Sequence, residues 1–254
     1  MVEGVTAISM VPSHADSDGG DIQKWADVEY ELARHVAPYE DDDVVRQMTQ
    51  QVVQAGHRIL QIHMLGSNDD EHIASLLSVL NPPPGAVVLD AGCGVGAVAE
   101  LMAQQRPDLE FVLLNISPAQ LAMCPDRFRK LEASFHDIPL PDASVDVVMF
   151  CYSLGHGRLD TALGEAARVL RPGGILFIYD ITVPQPGSRI VVTMGYVPHP
   201  ARDVVAVAER CGFVAEMAME PAGTSTDGFV TTFGRETFDV FTGARPVIYR
   251  MRKA

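Results

Sequence analysis

Residues 88–96 read VLDAGCGVG. An apolar run ends in Asp90 and breaks at once into spaced glycines, the pattern of a buried strand that feeds a tight turn and then a helix. Gly92 and Gly94 permit positive φ and let a ligand approach the backbone, and the free N–H groups at the start of the next helix face it. With Ala97 counted as a third small residue, the stretch also satisfies G-x-G-x-x-G/A, the dinucleotide pattern. Taken alone, the turn leaves a dinucleotide, a nucleoside and a purely structural role open.

The surroundings of the turn predict an α/β fold. AVVLD reads as a short buried strand, AVAELMAQQ as a helix, LEFVLL as a second strand and VDVVMF as a third. A helix is expected at Ser117-Pro118, with Ser as cap and Pro in the first turn. Leu163, Ala166, Ala167 and Leu170 share a helical face before RPGG, read as a turn, and the strand ILFIYD. Continuous apolar strands alternating with helices indicate a parallel sheet covered on both faces. The helix ARDVVAVAER, stopped by Gly212, and the strand-like runs FVAEMAME, GFVTTF and PVIYRM follow. The expectation is a doubly wound, Rossmann-like, mostly parallel seven-stranded sheet.

Upstream, residues 1–20 are rich in Ser, Gly and Asp and read as a mobile tail. Residues 21–81 read as an N-terminal helical cover and 82–254 as the ligand-binding domain. In the cover, Val45, Met48, Val52, Ala55, Ile59 and Ile62 recur every three or four positions and predict one long amphipathic helix from Asp42 to Leu65. Asp41, Asp42 and Asp43 precede it, where carboxylates favour the positive end of the helix dipole; a magnesium ion is the other use for such a run. A second helix is expected over Glu71–Leu80, stopped by PPPG.

Composition narrows the function. The 254 residues are 47% hydrophobic and 20% charged, which describes a globular chain. A formal charge of −14 speaks against sequence-independent binding of nucleic acid, which needs a basic surface. Cys93, Cys124, Cys151 and Cys211 are widely spaced, with no CxxC pair, so neither a zinc site nor a disulfide framework is expected. No signal peptide or membrane-length apolar run is read. A cytoplasmic protein acting on a small molecule, without nucleic acid or membrane partners and with a homo-oligomer left open, is the expectation.

A dinucleotide fold carries an acid at the end of its second strand for the ribose hydroxyl, and here that position is the neutral Asn115. In order and spacing, VLDAGCGVG, HDIPLPDASVDVVMF and EAARVLRPGGILFIYD resemble the class I S-adenosylmethionine-dependent methyltransferases over roughly residues 57–215. The resemblance implies that Asp90 sits near the methionine end of the cofactor, with Gly92 and Gly94 packed against it. It assigns Asp137 to the adenine amino group and Ile138 to the adenine face, and it delivers Cys151 and Tyr152 to the ligand-binding edge of the sheet. NISPAQ resembles the T-x-S-x-x-Q turn of a subgroup that includes cyclopropane fatty acid synthases and sterol and prenyl diphosphate C-methyltransferases. Asn115, Ile116, Ser117 and Gln120 then hold the ribose, with Asn115 departing from the usual Thr. IHMLG at 62–66 is similar to a short H-x-G element of the same enzymes, and S-adenosylhomocysteine is the implied product.

Methylating an alkene leaves a carbocation, which calls for an apolar site, aromatic faces and one base. Trp25, Tyr30, Tyr39, Tyr152 and Tyr196 are the aromatic candidates, and His57, His63 and His156 the bases. Among them His156, Tyr152 and His63 are expected to be catalytic. Tyr152 stands where several alkene methylators have Glu, which leaves a Tyr–His arrangement as the substitute. A diphosphate acceptor would need arginines, with Arg46, Arg58, Arg189, Arg235 and Arg245 as candidates, and would bring magnesium with it, although no dedicated metal motif is present. His57, Arg58 and Tyr196 are expected to contact the acceptor. The rival readings are O- or N-methylation of a natural product with His156 as base, a non-catalytic cofactor-binding protein, and a dinucleotide oxidoreductase.

Overall fold

The computed structural model describes residues 5–7, 42–54, 56–59, 65–183, 195–221 and 244–254. In chain order these form β1 (Val5–Ala7), α1 (Asp42–Gln54), α2 (Asp69–Leu80), β2 (Val87–Ala91), α3 (Ala97–Gln105), β3 (Glu110–Asn115), α4 (Pro118–Met123), β4 (Arg129–Glu132), β5 (Val145–Cys151), a 3₁₀ turn (Leu154–His156), α5 (Leu159–Val169), β6 (Leu170–Thr182), α6 (Ala201–Arg210), β7 (Phe213–Pro221) and β8 (Arg245–Lys253). The strands join one sheet in the order β1-β7-β8-β6-β5-β2-β3-β4. Strands β4, β3, β2, β5 and β6 run parallel; β8, β7 and β1 complete the sheet antiparallel. The mostly parallel, doubly wound α/β fold is therefore present, and its strands include β1 and β4, neither of which was read from the sequence. Strand β1, Val5–Ala7, pairs with β7 in a segment read from sequence as tail.

Apolar residues fill both faces of the sheet. On one face the core takes Leu163 and Val169 of α5 and Val204 and Val207 of α6; on the other it takes Ile73, Leu76 and Leu80 of α2 and Leu101 and Met102 of α3. The charged strand β4, RKLE, escaped the sequence reading because it is short and carries one apolar residue. GFVTTF lies outside the described residues. RPGG bulges out of β6, between the paired residues Leu170–Val145 and Ile175–Val147.

The long helix ends earlier than its periodicity suggests. α1 stops at Gln54, where Gly56 adopts φ +84° and the Gly56 and His57 N–H groups return to the Val53 and Val52 carbonyls. That is a Schellman termination. The apolar spacing continues beyond it because Ile59 is still buried, so the pattern persisted where the helix did not. α2 begins at Asn68, whose side chain caps the Glu71 N–H, and ends at Asn81 in the left-handed region before the prolines. α4 opens as expected, with Ser117 capping Gln120 N–H and Pro118 in the first turn.

Candidate active site

The chain turns one way from β2 to β3 and β4, and the other way to β5 and β6, which leaves a crevice beyond the C-terminal ends of the central strands. A cavity of about 680 Å³ opens there, lined by the connections that follow β2, β3, β4 and β5 and by one face of α1.

The wall after β2 and β3 is shaped by backbone. Gly92, Gly94 and Gly96 adopt φ of +80°, +56° and +74°. A Cβ on Gly92 would stand 2.5 Å from that of Ser153, whereas one on Gly94 would meet nothing. The third glycine position belongs to Gly96 and not to Ala97: Gly96 caps α3, and a Cβ there would press on Leu113 and Cys124. Asn115 ties this wall together. Its amide donates to Gly94 O at 3.2 Å and Gln120 Oε1 at 2.7 Å, and its oxygen accepts the Ser117 N–H at 3.0 Å. Asn115, Ile116 and Gln120 line the cavity, and Ser117 stands behind them as the helix cap. Asp90 does not line the cavity; it is the last but one residue of β2, buried, with Oδ2 lacking a partner among the described residues. Burial raises its carboxyl to about 7.

The wall after β4 corrects the adenine assignment. Asp137 is exposed and Ile138 is buried in the core, its N–H donated to Glu165 at 2.8 Å; neither lines the cavity. Because β4 ends at Glu132, the chain passes the cavity at Ala133–His136, and residues 137 and 138 have already left it. Ser134, Phe135 and His136 stand there instead. Phe135 packs edge-on against Phe150, and Gly157 is required beside it, since a Cβ there would lie 2.2 Å from the Phe135 ring. His136 Nε2 accepts the Arg158 N–H at 2.8 Å. The signal for these residues was the unrecognised strand β4, which sets where the chain crosses.

On the opposite side, Cys151, Tyr152 and His156 line the cavity as expected. Tyr152 holds a left-handed φ of +55° and packs edge-on against Tyr179 at 5.0 Å. Burial pushes the Cys151 thiol up, and the Asp90 and Asp180 carboxyls add to that. His156 donates from Nδ1 to the Gly195 carbonyl at 3.0 Å, which leaves Nε2 as the lone-pair nitrogen of the neutral ring. Desolvation lowers its pKa to about 4.

The acceptor assignments fare unevenly. His57 does not line the cavity; its Nδ1 pairs with the buried Asp69 at 3.2 Å. Arg58 does line it, with its guanidinium held by Asp70 at 2.7 Å. Tyr196 is buried under Gly155 and outside the cavity wall, its hydroxyl donated to Asp180. Arg46 and Arg245 pair with Asp43 and Glu220 away from the cavity. His63, Trp25, Tyr30, Tyr39, Arg189 and Arg235 lie outside the described residues. Val45, Met48, Val52 and Ile59, read from the sequence as the apolar face of the cover helix, face the cavity from α1 and the segment after it.

Residues 89–178 match the family model described as "Methyltransferase domain". Over those residues the chain is similar to methyltransferase domains. Ribosomal RNA-processing protein 8 of Caenorhabditis briggsae is 35% identical over 100 residues, covering 39% of this chain and 27% of that protein. Demethylmenaquinone methyltransferase of Tropheryma whipplei is 29% identical over 148 residues, covering 56% and 60%. The chain thus spans between about a quarter and three-fifths of the length of these relatives. Geranyl diphosphate C-methyltransferase from Streptomyces coelicolor superposes with a TM-score of 0.68 at 15% identity, covering 86% of this chain and 98% of that one, which establishes the shared fold. Among the described residues no helix is long and apolar enough to cross a membrane, and no group of three His, Cys, Asp or Glu side chains could hold a metal ion.

Proposed function

We propose that this chain transfers a methyl group from S-adenosylmethionine to a carbon atom of a small, largely apolar acceptor, with isoprenoid alkenes such as prenyl diphosphates as a fitting class. The observation that carries the reading is a single cavity whose floor is the glycine turn and whose roof is the apolar row Val45, Met48, Val52 and Ile59. The residues suit the cofactor. The buried Asp90, whose Oδ2 lacks a partner among the described residues, favours a cationic ligand nearby, because a positive charge offsets the cost of ionising it. Gly94 leaves open space where any side chain would intrude, and Asn115 fixes both Gly94 and Gln120 beside it.

Bound there, S-adenosylmethionine supplies an activated methyl group on a sulfonium. The chain's own part is to align the acceptor, exclude water and take up a proton. The roof on α1 holds the acceptor's apolar body, and Tyr152 and Phe135 offer aromatic faces suited to developing positive charge. His156, with its proton on Nδ1, offers Nε2 as the base. Arg58 is the candidate for an anionic acceptor group, since it lines the cavity. Among the described residues the side chains for a magnesium site are not assembled. The same His156 geometry also suits abstraction of a hydroxyl proton, which is the O-methylation reading.

Incubation with methyl-labelled cofactor and a panel of prenyl diphosphates, apolar alkenes, phenols, amines and short RNA decides between them. Label on a carbon of an apolar acceptor is expected. Label confined to oxygen or nitrogen, or to RNA, overturns the proposal.

A further inference from the structure

The buried Asp180 and Tyr196 lie outside the cavity, yet they bear on His156 in its wall. Asp180 lies near the C-terminal end of β6 and is buried, as is Tyr196. Its Oδ1 accepts the Ile181 N–H at 2.7 Å and the Tyr196 hydroxyl. The carboxyl therefore ties the end of β6 to the segment that carries Gly195.

Further contacts close the arrangement. The Tyr196 ring lies on Gly155, where a Cβ would come within 2.3 Å of its Cζ, so only glycine admits the ring. The Val197 N–H donates to Gly155 O at 2.8 Å. The Tyr196 ring meets the His156 imidazole edge-on at 4.9 Å and 87°, and Gly195, the residue before Tyr196, supplies the carbonyl that accepts His156 Nδ1–H. If Tyr196 moves, that carbonyl moves with it.

We propose that Asp180 and Tyr196 are positioning residues: by seating Gly195 they fix the proton of His156 on Nδ1 and keep Nε2 as the acceptor. The Asp180–Tyr196 bond is the latch and Gly155 its seat. This rests on the reading of His156 as the base, but its physical content, the tautomer, can be observed without any turnover.

The test is ¹⁵N spectroscopy of histidine-labelled full chain, with the His156 signals assigned by loss in His156→Ala. Wild type should show a protonated Nδ1 and an unprotonated Nε2. Tyr196→Phe removes one oxygen and keeps the ring, so it is expected to fold. It should mix the two tautomers and lower kcat about ten-fold with the KM for cofactor unchanged. Asp180→Asn keeps an oxygen for the Tyr196 hydroxyl and the Ile181 N–H, and should retain the wild-type tautomer and at least half of kcat. An unchanged His156 spectrum in Tyr196→Phe overturns the proposal, as does an Asp180→Asn spectrum that is as mixed as that of Tyr196→Phe. If His156→Ala leaves methyl transfer intact while Tyr196→Phe still mixes the tautomers, it is the assignment of the base that fails and the latch stands.

Discussion

The two sides of the cavity are built by opposite means. On the side of β2 and β3 the shape is made by backbone: three glycines in the left-handed region and one asparagine amide that ties the turn to the next strand. On the side of β5 and β6 it is made by side chains drawn from segments far apart, with Tyr152 and His156 in the wall and Tyr196 and Asp180 behind it. A backbone wall tolerates almost no added atom but needs few particular side chains. A side-chain wall can be edited atom by atom, and each edit should change one property.

Gly92→Val attacks the first wall and should have the largest effect. A β-branched residue at φ +80° is strained, and its Cβ would sit 2.5 Å from that of Ser153. Calorimetry should show S-adenosylhomocysteine affinity reduced at least ~100-fold; unchanged affinity would place the cofactor elsewhere. His156→Ala edits the second wall. It should lower kcat by ~100-fold, in the range for a lost general base, while the affinity for S-adenosylhomocysteine stays within about two-fold. Equal losses in both quantities would erase the division between the walls.

A gentler edit of the first wall is Asn115→Ala, which removes the donors to Gly94 and Gln120. At about 1 kcal/mol net per hydrogen bond, titration should show affinity for S-adenosylhomocysteine falling by roughly ten- to thirty-fold. A full-affinity Asn115→Ala protein would mean that the turn holds its shape without the tether.

The smallest effect is one of stability. Burial raises the Asp90 carboxyl from 3.8 to about 7. The folded chain keeps a proton that the unfolded chain releases near pH 4, so this contribution to stability is complete below about pH 4 and is lost as the pH climbs through about 7. Asp90→Asn removes that loss. In thermal melts of the ligand-free protein, wild type and Asp90→Asn should agree near pH 4, and Asp90→Asn should melt several degrees higher at pH 8. Curves that stay parallel from pH 4 to 8 would show that Asp90 is not desolvated.

The contrast also explains what could be read in the sequence. The strands, the glycine turn, the Ser117 cap and the neutral Asn115 are local features, set by residues within a few positions of one another, and the turn named its own conformation. Asp137 and Ile138 were misplaced because the crossing point depends on where β4 ends, and a strand of four residues with one apolar side chain carries little periodic signal. Tyr196 was read as an acceptor contact because a tyrosine between Gly195 and Val197 gives no hint of its direction. Its burial is decided by Gly155 and Asp180, 41 and 16 positions earlier in the chain. The end of α1 was obscured because Ile59 is buried whether or not the backbone is helical. His63, the remaining catalytic candidate, lies outside the described residues.

At Tyr152 the demands of folding and of the proposed chemistry diverge. With φ at +55° its backbone occupies a conformation that glycine or asparagine accepts more readily, at a cost on the order of 1 kcal/mol for a bulky residue. A library randomised at this codon and sorted only for resistance to heat should drift toward glycine and asparagine. The same library sorted for methylated product should keep an aromatic ring. The winners of the two selections would differ at a residue whose ordinary hydrophobicity gives no warning of the conflict.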